Sequence, residues 1–89
     1  MPQFHFDVTD GTFIPDLEGV ELADIPAARA HAVLRMHNLL AGHTEAFWMG
    51  EEWLIEVRDD CGLLLFTVAF RATETPVAKR SRPATQVGR

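Results

Sequence analysis

The side chains able to do chemistry in this chain of 89 residues are few and dispersed. The four histidines are His5, His31, His37 and His43. The last three recur every six residues, whereas paired imidazole ligands on a helix need a spacing of three or four. They read as ordinary surface histidines. His5 and Asp7 share one face of a strand, but two ligands are too few to hold an ion. Cys61 follows Asp59 and Asp60, and negative neighbours oppose a reactive thiolate. As the single cysteine, it excludes an internal disulfide, although a thiol in a turn could link two chains. Asp7, Asp10, Asp16, Glu18 and Glu21 are dense but lack the ligand order of a calcium loop. Asp10-Gly11 and Asp16 suit turns. No Gly-rich phosphate loop, Ser/His/Asp set or zinc-type cysteine pair appears. The residues therefore predict a non-enzymatic protein with no metal and no cofactor.

The candidates that remain concern association. Phe47, Trp48 and Met49 place three large apolar side chains in a short connection. They can close the core beside Trp53 or serve as interface anchors, since aromatics and Met are enriched at interfaces. Leu54, Leu63 and Leu65 fall on the sheet face that a single helix would leave uncovered, and an uncovered apolar patch marks association. Charge is divided along the chain. Residues 1–70 carry three arginines against twelve carboxylates, a net of −9, and residues 71–89 carry a net of +4. The acidic body disfavours non-specific nucleic-acid binding. The basic segment, with Lys79, Arg80 and Arg82, offers possible nucleic-acid contacts. The longest apolar run is far short of the ~20 residues of a membrane span. No secretory signal opens the chain, so the expected setting is cytoplasmic.

Two apolar runs joined by Asp59-Asp60-Cys61-Gly62 predict a β-hairpin around which the chain is organised. In Trp53–Arg58, Trp53, Ile55 and Val57 alternate with Leu54, Glu56 and Arg58, the pattern of a half-buried strand. Leu63–Phe70 is apolar on both faces, which suggests a central strand. Earlier, Phe4, Phe6 and Val8 alternate with His5 and Asp7 in a first strand. Thr12–Leu22 is a connection whose Phe13, Ile14, Val20 and Leu22 could add a small ladder. A helix follows, with Asp24 as N-cap, Pro26 in the first turn and Gly42 as a stop. Its core face holds Ile25, Ala28, Ala32, Met36, Leu39 and Leu40, and the face would extend to His43 and Phe47 if the helix ran on.

The expected fold is α+β: a single three-stranded antiparallel sheet in a β-α-β-β sequence, strand order 1-3-2, with one helix packed on one face. Residues 1–70 would form this domain and residues 71–89 a disordered basic tail. So small a core is marginal alone. A homodimer, or docking on a partner protein, is the expected state.

Three stretches carry a resemblance. They are Met1-Pro-Gln-Phe-His-Phe-Asp-Val-Thr-Asp-Gly11, Asp16-Leu-Glu-Gly-Val-Glu-Leu22 followed by Ala27-Ala-Arg-Ala30, and Ile55-Glu-Val-Arg-Asp-Asp-Cys-Gly62. Together they resemble a family of short, mainly alphaproteobacterial proteins known only as a domain of unknown function, number 6894. The resemblance covers roughly residues 1–70 and implies a bacterial source and a stand-alone domain; it supplies no catalytic residues to carry over. Cys61 in the turn and the apolar Phe47-Trp48-Met49 depart from the expected pattern.

Overall fold

The computed structural model describes residues 2–49 and 52–80. The elements in chain order are β1 (Gln3–Thr9), β2 (Phe13–Ile14), β3 (Val20–Glu21), α1 (Ile25–Leu40), α2 (Thr44–Met49), β4 (Glu52–Asp59), β5 (Leu64–Arg71) and α3 (Pro76–Arg80). The strands form one antiparallel sheet in the order β2-β1-β4-β5, with β3 also paired to β1.

Alternation in β4 dictates the core. Trp53, Ile55 and Val57 are buried, and in register they lie between Phe6 and Val8 of β1 and Phe66, Val68 and Phe70 of β5. Against this face α1 sets Ala28, Ala32 and Met36, all fully buried. The alanines have no side chain beyond Cβ, so the helix axis can lie close to the strands. Asp24 caps the helix as its spacing predicts, its carboxylate accepting from the Ala27 N–H at 2.9 Å. The helix ends at Leu40, with Gly42 at a φ of +77°, and the chain starts again as α2. This break turns Phe47 back onto the core, where its ring meets Trp53 edge-on at 5.5 Å between centroids.

The expected fold is corrected. Among the described residues the sheet has five strands, not three, and three helices accompany it. β1 and β4 pair directly and antiparallel, because the chain runs back along β1 through β2 and β3 before α1 begins. That extra pass reverses the direction in which α1 delivers β4. The central strand is therefore β4, and β5, expected in the middle, is an edge strand among the described residues. Within the segment 71–89, Pro76–Arg80 forms a short helix. Residues 81–89 lie outside the described residues.

If Met36 closes the core, Met36→Ala should cost about 2–5 kcal/mol. Leu34→Ala, on the exposed side of α1, should cost less than about 1 kcal/mol. Urea denaturation of both variants measures this, and equal losses would contradict the assigned helix face.

Candidate functional site

The two edges of the sheet are built differently. β1 is covered on its outer side by two short strands, with Val8 opposite Ile14 and Phe4 opposite Val20. Between them the Asp16 side chain fills the gap. Its Oδ2 accepts the Phe6 N–H at 3.0 Å, where a continuous strand would have offered a carbonyl. Its Oδ1 accepts the N–H groups of Gly19 at 3.0 Å and Glu18 at 3.3 Å. The Asp16 N–H donates to Asp7 Oδ1 at 2.9 Å, and His5 Nδ1 lies 2.9 Å from the Asp16 carbonyl, which makes that nitrogen the donor. Gly19, at a φ of +81°, has no room for a side chain, since a Cβ would come within 2.9 Å of Gln3 and His5.

This network continues across the open face of the sheet. Asp7, nearly buried, lies opposite Glu56 in register. Two carboxylates so placed repel, and Arg58 lies between them, with Nε 3.2 Å from Asp7 and Nη2 3.6 Å from Glu56. A shallow depression of about 350 Å³ lies beside these residues, lined by His5, Asp7, Asp16, Leu17, Arg58 and Asp60 among others. His5, Asp7, Asp16 and Arg58 engage one another and the loop backbone there, which is the arrangement of a structural lock.

The edge at β5 has no such cover. Along its outer side no strand pairs with it among the described residues. Leu63, just before the strand, is 64% exposed, Leu64 is 44% exposed and Phe70 is 38% exposed. Leu65 is half-buried at the irregularity where Val57 pairs with Phe66 and Arg58 with Leu64. Leu54, on the central strand, is also half-buried. Near the exit of β5, Trp48 (56% exposed) and Met49 (82% exposed) line an open depression with Glu45 and Glu74. The six interface candidates therefore separate. Phe47 and Leu65 pack on the core, Leu54 is half-buried on the other face of β4, and Trp48, Met49 and Leu63 are on the surface.

The other candidates do not converge. His31 packs on the Phe6 ring at 4.6 Å, and His43 Nδ1 lies 3.1 Å from the Ala41 carbonyl. Among the described residues the one close group of potential metal ligands is Asp59, Asp60 and Cys61. There Asp59 Oδ1 already accepts the N–H groups of Cys61 and Leu63, both at 2.9 Å. The cluster is the hairpin turn itself. Lys79 and Arg80 end α3, and Arg82 lies outside the described residues. No helix among the described residues is long and apolar enough to cross a membrane. Sequence reasoning took Asp16 for a turn former and missed its reach to β1. The signal available was a run of carboxylates with no cation to hold.

Partial burial pushes the Asp16 carboxyl upward. The N–H groups of Gly19, Phe6 and Glu18, with His5 nearby, outweigh that and hold it below its ordinary value of 3.8. A carboxyl depressed in the fold contributes stability above its unfolded value, and that contribution fades as pH falls through the folded value. Asp16→Asn should therefore destabilise the protein at pH 7, by about 1–3 kcal/mol for the weakened backbone contacts. The difference from wild type should shrink below about pH 4, near the unfolded carboxyl value. Urea titrations at pH 7 and pH 3 test this, and a difference independent of pH would contradict the assignment.

Comparisons with curated proteins and with solved structures give no match. The family described as "Domain of unknown function (DUF6894)" matches residues 3–71, from the start of β1 to the end of β5. That match takes in both edges of the sheet and the Asp16 network, and the chain belongs to the DUF6894 family.

Proposed function

We propose that this chain is a non-enzymatic protein-interaction module that binds another polypeptide along the free edge of β5. One observation carries the reading. β5 is an eight-residue edge strand whose single charged residue is the terminal Arg71, and it bears the exposed Leu64 and Phe70, with the exposed Leu63 just before it. Soluble proteins ordinarily blunt such an edge with charge, proline or a covering segment, because its unpaired N–H and C=O groups template strand addition. The opposite edge is blunted, by Pro15, Asp16 and two-residue strands. Strand addition takes affinity from the main-chain ladder and selectivity from alternate side chains. A cytoplasmic setting suits this reading, since Cys61 is free and exposed.

A second reading rests on the charge division: a nucleic-acid-linked regulator would use Lys79, Arg80 and Arg82 of the segment with a net of +4. Full-length protein would then shift DNA or RNA at low salt, and substituting those three residues by Gln would abolish the shift. No binding at low salt would end that reading.

The edge reading is tested with a photo-crosslinking benzoylphenylalanine at Leu63, in the native host. A discrete protein adduct is expected there, and none from the same probe at Leu34, an exposed residue on the outer side of α1. Equal adducts, or none from Leu63, would overturn the reading.

A further inference from the structure

We propose that the occupant of the β5 edge is β5 of a second copy of this chain, paired antiparallel about a two-fold axis through Thr67. The inference rests on the interaction reading above and names its partner. The ends of the edge are complementary to each other. Before β5 stands the exposed Asp60, and β5 closes with the exposed Arg71. Arg71 lies opposite Glu52 in register, yet no ion pair joins them among the described residues. Antiparallel self-pairing carries each Arg71 to the acidic turn of the other copy, and does so twice by symmetry. The apolar ends also come together. Leu64 of one copy arrives in register with Phe70 of the other, on opposite faces of the sheet, since the irregularity at Leu65 sets Leu64 beside Arg58 while Phe70 stays beside Trp53.

Thr67 sets the register. It is the midpoint of the stretch from Leu63 to Arg71, so an axis there leaves neither end uncovered. It is exposed on the open face, opposite Glu56 of β4, and a Thr–Thr cross-strand pair is favourable. Antiparallel partners share a face, so Phe66 of one copy meets Val68 of the other on the helix-covered side. The interface is isologous. Because the β1 edge is occupied by β2, β3 and Asp16, association stops at two copies and no fibre grows. The Cys61 thiols end near opposite extremes of the joined strands, about 40 Å apart at ~3.4 Å per residue, so the dimer is not disulfide-linked.

The test uses the full chain. Wild type should sediment as a dimer of the 10.0 kDa chain with or without reductant. In a Cys61→Ser background, Thr67→Cys should form a covalent dimer on mild oxidation, since directly opposed Cβ atoms lie about 4.5–5.5 Å apart and a shift of about 1 Å brings them to disulfide distance, whereas wild type with Cys61 should not. Arg71→Glu should weaken the dimer about tenfold, and Asp60→Lys with Arg71→Glu should restore it to within about threefold of wild type, the reversal expected of a charge pair. Circular dichroism identical to wild type certifies the fold of each variant. Thr67 and Asp60 are exposed, so at least these changes leave the core untouched. A monomer at tens of micromolar, no Thr67→Cys cross-link, or a charge reversal no better than the single changes would overturn the proposal. A Leu63 adduct to a different protein with a monomeric chain would refute self-pairing while leaving the interaction reading standing.

Discussion

Everything in this fold depends on the alternation of β4. Trp53, Ile55 and Val57 point to one side, where α1 brings Ala28, Ala32 and Met36 against them. The strand is paired on both sides, so its backbone groups are satisfied and its apolar face cannot slip by one residue without exposing all three side chains. With β4 fixed, β1 and β5 are its two neighbours, and the remaining question is how each outer edge is treated. The answer differs. On the β1 side a polar network anchored by Asp16 closes the edge, and on the β5 side apolar residues leave it open.

The closure at β1 is economical. Two strands of two residues could not satisfy the edge alone. One carboxylate bridges the interval, accepting from Phe6 of the strand and from Glu18 and Gly19 of the loop. Asp7 then ties the loop backbone to Arg58 of the central strand. The same residues that could be mistaken for a cluster of metal ligands or acid–base groups are thus engaged with backbone donors and a guanidinium. Their density reflects the polar burden of holding an irregular loop against a sheet, since a buried donor without a partner costs about 1–3 kcal/mol.

Much of this was legible in the residues. Alternation in Phe4–Val8 and Trp53–Val57, the Asp24 cap and the Asp59–Gly62 turn are local signals, and each is found where its pattern implies. The strand order was not legible. An apolar strand can be central or lie at an edge with the same composition, and Leu64–Arg71 is an edge strand among the described residues. The small ladder of Phe13, Ile14 and Val20 was legible, but strands that short show no periodicity, so their pairing to the outer side of β1 and the bridging by Asp16 were not. Phe47-Trp48-Met49 shows the same limit at the scale of single residues. Composition marks the trio as unusual, but only the restart of the helix after Gly42 decides that Phe47 turns inward while Trp48 and Met49 remain exposed.

The central claim is that the outer edge of β5 pairs with another strand. Amide hydrogen exchange of the β5 residues, followed over a range of protein concentration, addresses it most directly. The account predicts that the N–H groups facing away from β4 are protected at tens of micromolar and above, and exchange quickly on dilution, while those bonded to β4 remain protected throughout. Outward-facing N–H groups that exchange rapidly at every concentration, in the purified protein and in the presence of host extract alike, would contradict it.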